Sequence, residues 1–251
     1  MSGHSKWSTI KRKKAATDAR RGKIFSKLAR EIMIAARDGG AEPSGNPVLR
    51  QVIQKARAAN MPMDNIERAI KKGAGQSGCA AYEEVVYEGY AAGGVGLIVQ
   101  ALTDNRNRTT SEVRKIFNRY HGRLSGQGSV ARLFRRRGCI TVPADKVQED
   151  RLLEIAVRAG ADDVNEENGQ FEVWTTPEAF SGVVEALRSA AIPVTSCEVT
   201  LVPDVYISIS DAALARTLMQ FFEALEDLDD VQSVYNNADI TDELISQLTE
   251  S

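Results

Sequence analysis

The sequence predicts an α+β protein with an N-terminal three-helix domain followed by two α/β, ferredoxin-like domains. Two observations predict this class. Apolar residues recur at helical spacing from residue 23 to residue 73, and beyond the linker GAGQSG at residues 73–78 strand and helix patterns alternate. No stretch approaches the roughly 18–20 apolar residues that a bilayer span needs. A signal peptide is not expected either, because no apolar core follows the basic residues at the start. We therefore expect a cytoplasmic protein.

Three amphipathic helices are predicted in the first third of the chain. The first helix ends at Gly39-Gly40, after an apolar stripe formed by Phe25, Leu28, Ile32 and Ala35. Asn46 is expected to cap the second helix, with Pro47 at its first position.

The third helix of this domain is predicted after the MPMD segment. Asp64 is expected to cap it, with Glu67 three residues later as in a capping box. Met61 and Met63 are expected to fill the core of the small bundle.

Strands and helices then alternate in two predicted α/β domains. In the first, the predicted elements are the strands EVVYEGY and VGLIVQALT, a helix over 106–121 and the strand SVARLF. The tail adds a helix over 211–227 and a strand over 230–237, which we expect to complete the same sheet. Residues 138–202 follow a βαββαβ rhythm with a hairpin turn at Asn168-Gly169, which indicates a ferredoxin-like domain.

These elements predict how the chain divides into domains. The predicted parts are a basic arm at 1–22, a helical domain at 23–78, a discontinuous α/β domain at 79–134 plus 203–251, and an inserted ferredoxin-like domain at 135–202.

The charge of the chain is strongly sorted, although the formal net charge is only −2. Residues 1–137 carry a net charge of +16, and residues 138–251 carry −18. Such an asymmetry favours a polyanion partner for the basic part, such as nucleic acid or a ribonucleoprotein. The alternative is that both halves are solvated surface that keeps the protein soluble. The acidic half would also repel nucleic acid and so restrict which surface engages it.

Seven segments stand in order over nearly the whole chain: GHSKWSTIKRKKAATDARRGKIFSKLAREI, NPVLR, NMPMDNIERAIKKG, YEGYAAGG, LTDNRNRT, GSVARLF and DDVQSVYNN. With these segments the sequence resembles the YebC/PmpR family. The resemblance implies a YebC-like fold of an N-terminal helical domain and two α/β domains. It also implies a regulator of gene expression, since family members are described as probable transcriptional regulators that bind DNA. Family members are also described as ribosome-associated factors that relieve stalling, and the family includes the mitochondrial translational activator of cytochrome c oxidase subunit I.

Catalysis, metals and cofactors are not expected. The sequence has no P-loop, no GxGxxG that opens a helix and no nucleophile elbow. Its three cysteines lie about 60 residues apart and its only histidines are His4 and His121, so no metal-ligand or redox spacing occurs. The resemblance likewise implies no catalytic site.

The basic arm is the first candidate nucleic-acid site. Lys and Arg bind phosphate independently of sequence, and an aromatic side chain among them can stack on an unpaired base. For Trp7 the alternative is a place in the core, and for His4 it is a merely polar terminus. The candidate residues are His4, Lys6, Trp7, Lys11, Arg12, Lys13, Lys14, Arg20, Arg21 and Lys23.

The segment DNRNRT at 104–109 is the second candidate site, because it joins a buried strand to a helix start. Backbone N–H groups at a helix N-terminus attract anions. The candidate residues are Arg106, Asn107 and Arg108, continued along the helix by Arg114 and Lys115. The alternative is an Asx-type cap with two solvated arginines. A third basic run, Arg135–Arg137, is a weaker signal, because three consecutive arginines in a strand cannot share one face.

The sequence thus predicts a non-enzymatic, nucleic-acid-binding regulator of gene expression. Ribosomal or transfer RNA and the ribosome are the favoured partners, because a short arm with one aromatic residue suits irregular RNA. No membrane or small-molecule partner is expected. The alternatives are a DNA-binding transcriptional regulator and a protein-interaction scaffold that uses the acidic ferredoxin-like domain.

Overall fold

The computed structural model describes residues 18–75, 82–167, 169–241 and 244–245. The chain divides into two compact units, Met1–Arg132 with Val205–Ser251 and Leu133–Asp204. Helices come first and mixed helix–sheet regions follow, so the predicted fold class is confirmed. None of the described helices is both long enough and apolar enough to cross a membrane. The predicted boundaries of the arm and of the three domains stay predictions.

The described helices and strands are numbered here in chain order. They are α1 Asp18–Gly39, α2 Pro47–Ala58, α3 Met63–Gly73, β1 Glu83–Tyr90, β2 Gly96–Thr103, α4 Arg106–Arg119, β3 Arg123–Ser125, β4 Phe134–Pro143, α5 Glu149–Arg158, β5 Ala161–Glu167, β6 Gln170–Thr175, α6 Phe180–Ser189, β7 Ser196–Pro203, β8 Ile207–Ile209, α7 Ala212–Glu226, β9 Val231–Asn236 and β10 Ala238–Ile240.

Helices α1 to α3 share one apolar core, and a buried asparagine joins the first two. The side chain of Asn46 accepts a hydrogen bond from the Leu49 N–H at 3.0 Å, as predicted for the cap of α2. Its amide nitrogen also donates to the carbonyls of Ala35 and Gly40, at 2.7 and 2.8 Å. One polar side chain therefore fixes the turn between the two helices while leaving no polar group of its own unpaired.

The start of α3 differs from the prediction. The N-cap residue is Pro62, and no side chain caps this end, so the predicted capping box at Asp64 is wrong. Proline already has the φ angle that a helix needs, so the helix begins at Met63 and Asp64 falls in its first turn, where the helix dipole still favours its charge. Met61 is buried in the bundle core, whereas Met63 is exposed.

The first α/β sheet has the strand order β3-β1-β2-β9 with antiparallel neighbours. Strand β9 pairs with β2, as predicted for the tail. Helices α4 and α7 contribute to the same core, where Phe117 and Phe221 meet edge to face. Strands β8 and β10 form a short parallel pair that the sequence did not predict.

The segment SVARLF is not the predicted strand, and the buried carboxylate of Glu88 explains why. It accepts hydrogen bonds from the N–H groups of Gly128, Val130 and Ala131, at 2.7, 2.7 and 2.8 Å. These donors are therefore unavailable to a sheet. The segment forms a 3₁₀ turn at Ala131–Leu133, and only its last residue enters β4.

The second unit is an antiparallel sheet in the order β5-β6-β4-β7, with α5 and α6 contributing to a single core. This order is the split βαβ, ferredoxin-like arrangement that the sequence predicted. The hairpin pairs Glu167 with Gln170, and Gly169 has a φ of 73°, which a tight hairpin turn requires.

Replacing Glu88 with glutamine tests the role of this carboxylate. Burial raises the pKa of Glu88, but the three N–H donors outweigh that effect and hold it below its ordinary value of 4.5. A lowered folded-state pKa stabilises the protein fully above the ordinary value, and this stability is lost as the pH falls through the folded-state pKa. We expect Glu88→Gln to cost about 1–3 kcal/mol at pH 7, because an amide group cannot accept all three bonds.

Urea unfolding followed by circular dichroism at pH 7, 5 and 4 measures this effect. The difference between the wild type and Glu88→Gln should shrink below pH 4.5. Glu84→Gln, at an exposed position of the same strand, is the matched control and should change stability little at any pH. A deficit of Glu88→Gln that is constant with pH would contradict the assignment.

Candidate nucleic-acid interface

Helix α4 begins two residues after the buried strand β2 and has a sharply two-sided surface. The side chain of Asn105 caps its start by accepting a hydrogen bond from the Arg108 N–H at 3.1 Å. Thr109, Val113 and Phe117 are buried at helical spacing, which fixes the rotation of the helix on the sheet. The opposite side of the helix is therefore held toward solvent.

The exposed side of α4 carries most of the second candidate site. We define the α4 basic surface as Arg106, Asn107, Arg114, Lys115 and Arg119, all of which are exposed. Arg119 lies over the ring of Tyr120, with 5.5 Å between its guanidinium carbon and the ring centroid. Within the described part of the chain, no carboxylate forms an ion pair with the four bases of this surface. Their charges are therefore available to a partner.

Arg108 is exposed but, unlike the bases of the α4 basic surface, it is paired with two carboxylates of the protein. Its guanidinium lies 2.7 Å from an oxygen of Asp230 and 2.8 Å from one of Asp104. The hydrogen bond with Asp230, followed by that with Asp104, raises the pKa of Arg108 above its ordinary value. Of the alternatives for DNRNRT, the structure shows the Asx-type cap at Asn105, with Arg106 solvated and Arg108 bound to two carboxylates.

Asp230 is the centre of a buried polar cluster, which we call the Asp230 cluster and which also contains Arg30, Thr103, Arg108 and Thr109. Asp230 is only 4% exposed. The hydroxyls of Thr103 and Thr109 donate to it at 3.1 and 2.7 Å, and Arg30 approaches it to 3.5 Å. Burial raises the pKa of Asp230, but the bonds from Arg108 and the two threonines hold it below its ordinary value. The cluster ties α1, the end of β2, the first turn of α4 and the start of β9 together.

An open cleft of about 600 Å³ adjoins this cluster. Its charged lining residues are Lys23, Arg30, Arg108, Asp104, Glu112, Asp227, Asp229 and Asp230. Because carboxylates outnumber the bases, the cleft is a poor place for a phosphate group. The α4 basic surface is the more suitable anion-binding surface in this unit.

The basic arm lies largely outside the described residues. This applies to His4, Lys6, Trp7 and Lys11–Lys14, and the side chains of Arg20 and Arg21 are not described either. Lys23 is described, and its ammonium group lies 2.9 Å from a carboxylate oxygen of Asp227. Lys23 is therefore paired with a carboxylate of its own unit, unlike the bases of the α4 basic surface.

The third basic run belongs to the second unit, and two of its three arginines have acidic partners there. Arg135 lies 2.6 Å from Asp204, and Arg137 lies 2.9 Å from Asp162 and also lies over the ring of Trp174. Arg136 is exposed. These two ion pairs reduce the positive charge that the run offers to a partner.

Sequence reasoning missed the acidic residues that organise the site, above all Asp230. Asp104 lies in the basic half of the chain and Asp230 in the acidic half, and neither is among the predicted site residues. One feature of the sequence did point to these acids. Asp104 lies in LTDNRNRT and Asp230 in DDVQSVYNN, and both segments carry the family resemblance. Nothing in their spacing shows that Thr103, Thr109 and Asp230 meet.

Comparison with family models covers nearly the whole chain. The model described as the TACO1/YebC protein N-terminal domain matches residues 5–76. The model described as the TACO1/YebC second and third domain matches residues 82–238.

Individual relatives agree with the family models. A probable transcriptional regulatory protein of Syntrophobacter fumaroxidans is 50% identical over 248 residues, which are 99% of this chain and 100% of that protein. One of Geobacter sulfurreducens is 49% identical over 248 residues, with the same coverage. The crystal structure of a conserved hypothetical protein from Aquifex aeolicus is 48% identical and has a TM-score of 0.82. The similarity spans 91% of this chain and 94% of that one.

Asp230→Asn tests the Asp230 cluster. The substitution removes the charge that Arg30 and Arg108 face and turns one acceptor oxygen into a donor, so buried partners are left unpaired. We expect a loss of about 2–4 kcal/mol in the free energy of unfolding at pH 7, measured by urea denaturation.

Asp145→Asn is the matched control, because Asp145 pairs only with the exposed Lys146 at a turn of the second unit. It should change stability by less than about 0.5 kcal/mol, since exposed ion pairs contribute little. If Asp230→Asn were equally harmless, the cluster would not hold these elements together.

Proposed function

The chain belongs to the TACO1/YebC family, and on that premise we propose that it is a non-enzymatic, nucleic-acid-binding regulator of gene expression. The regulatory part of this proposal is supported by the names of the relatives, each a probable transcriptional regulatory protein. The single observation that carries the binding part is the α4 basic surface, whose bases are exposed and have no described acidic partner.

The α4 basic surface suits a phosphate backbone for a simple physical reason. Arg114, Lys115 and Arg119 lie within about one and a half turns of a rigid helix, so their charges are held close together without a folding cost. Neutralising several phosphates at once releases condensed counterions, which supplies binding free energy that does not depend on sequence. Asn107 adds an amide at the N-terminal end, where N–H groups and the helix dipole also favour an anion.

We propose that the basic arm supplies the second contact. Its lysines and arginines precede Lys23 directly in the chain, and Trp7 offers a ring on which an unpaired base can stack. In this proposal Arg108 does not bind phosphate. It positions the start of α4 through its ion pairs with Asp104 and Asp230. The arm and α4 together would engage one polyanion over an extended surface.

RNA is favoured over duplex DNA because of the charge on α3. A helix-turn-helix protein inserts the N-terminal part of its second helix into the major groove. Here α2 and α3 are joined by a short turn, but the exposed start of α3 carries Asp64 and Glu67. Two acids at that position would repel the phosphates on both sides of a groove.

We therefore propose that ribosomal or transfer RNA is the target and that the protein is a ribosome-associated translation factor that relieves stalling. The last element of this proposal rests on the family resemblance. The second candidate is a DNA-binding transcriptional regulator, which the names of the relatives favour.

Binding of labelled bulk transfer RNA across a salt series tests the α4 basic surface. We expect Arg114→Gln and Lys115→Gln each to weaken binding, and each to reduce the slope of log affinity against log salt by roughly 0.7–0.9. Arg216→Gln removes the same charge at an exposed position of α7 and is the matched control. Equal effects of all three substitutions would show that only net charge matters.

Co-sedimentation separates the two candidate targets. At physiological salt we expect the wild type to sediment with ribosomes and to show no preferred promoter fragment. A variant neutralised at Lys11–Lys14, Arg20 and Arg21 should stay in the supernatant while its circular dichroism spectrum is unchanged. Specific promoter binding under the same conditions, without ribosome association, would favour the transcriptional regulator instead.

A further inference from the structure

Three bases on one side of α1 all contact the same short acidic segment. Lys23, Lys27 and Arg30 stand at positions i, i+4 and i+7, so they share a helix face. That face meets residues 226–230, which link the end of α7 to β9. We call these three bases together with residues 226–230 the α1 clasp.

The contacts of the α1 clasp are made to both carboxylates and backbone carbonyls. Lys23 donates to the carboxylate of Asp227 at 2.9 Å and to its carbonyl at 3.3 Å. Lys27 donates to the carbonyl of Glu226 at 2.6 Å. Arg30 donates to the carbonyl of Asp229 and lies 3.5 Å from the carboxylate of Asp230.

The segment 226–230 presents to α1 what a phosphate backbone would present. It offers a row of oxygen acceptors, three aspartates, and the C-terminal end of α7, where the helix dipole is negative. These oxygens bind the basic side chains of α1 in the way that the phosphates of a polyanion would. The acidic segment therefore occupies the bases that continue the basic run of the arm.

The two ends of the α1 clasp differ in their exposure. At the outer end, the side chains of Lys23 and Asp227 are 42% and 57% exposed, so water and salt weaken their attraction. At the inner end, those of Arg30 and Asp230 are 18% and 5% exposed. A competing anion would thus displace the outer end first, while the Asp230 cluster still anchors α1.

We propose that the α1 clasp regulates nucleic-acid binding by competition. Residues 226–230 hold Lys23 and Lys27 in the free protein, and a polyanion bound along the arm displaces them and takes over these two bases. This inference rests on the proposed function, because it needs a nucleic acid that reaches α1. It assigns the acidic segment a role that its sequence position does not reveal, namely that of an internal competitor.

Zero-length cross-linking reads the outer contact directly. A water-soluble carbodiimide joins an amine and a carboxylate that are in contact, and mass spectrometry quantifies the joined peptides. We expect the Lys23–Asp227 product to fall at least threefold when dephosphorylated bulk transfer RNA is added at saturation. The pair Lys55–Glu31, at 3.1 Å within the helical bundle, is the internal control and should be unchanged.

Weakening the clasp from its acidic side gives an independent test. Asp227→Asn removes the ion pair and leaves every base of α1 in place, so RNA affinity should rise roughly two- to fivefold. Glu84→Gln changes the net charge equally at an exposed position of β1, and it should change affinity by less than about 1.5-fold. Affinity is measured by fluorescence anisotropy at physiological salt.

The outcomes separate the two levels of the proposal. If wild-type protein binds no RNA, the proposed function is overturned and the regulatory role falls with it. If RNA binds but the Lys23–Asp227 product persists, or Asp227→Asn behaves like Glu84→Gln, the clasp is a static structural contact and only the present inference is overturned.

Discussion

The buried carboxylate of Asp230 is the interaction on which the candidate interface depends. A charge removed from water is tolerated only when it is paired and its lone pairs are used. Here the partners are Arg30 from α1 and Thr103, Arg108 and Thr109 from the end of β2 and the start of α4, two parts of the chain that are far from Asp230 in sequence. Satisfying one carboxylate therefore fixes the start of α4 against α1 and β2. Because α4 is a continuous helix, the fixed start also determines the direction in which the bases further along it point.

The same interaction divides the basic residues into two groups with different roles. Arg30 and Arg108 form ion pairs with carboxylates of the protein, whereas Arg114 and Lys115 are exposed and form none with the described residues. A count of charges along the sequence treats these residues alike. The acidic half of the chain likewise contributes internal partners to the basic half, in addition to any repulsion of nucleic acid. The formal charge asymmetry thus overstates how much positive charge a partner would meet.

Local patterns in the sequence predicted most of the regular elements, because their causes are local. The cap at Asn46 and the hairpin at Gly169 follow from residues a few positions apart. The errors have causes elsewhere in the chain. The segment SVARLF lost its strand because Glu88, about 40 residues earlier, takes its backbone donors. At the site, the composition of α4 indicated anion binding, but the loss of Arg108 to Asp230 is a tertiary contact that spacing cannot predict.

An internal competitor changes what a basic protein can discriminate. An acidic segment in the same chain meets the bases of α1 at a high effective concentration. Even a weak contact is therefore populated until a ligand binds the same bases more strongly. A small anion or a short polyanion can match only one or two contacts at the clasp. A long, structured polyanion that already holds the arm and the α4 basic surface would have the third contact presented to it intramolecularly. The clasp would thus favour extended targets over incidental ones, and a charge count alone could not provide that selectivity.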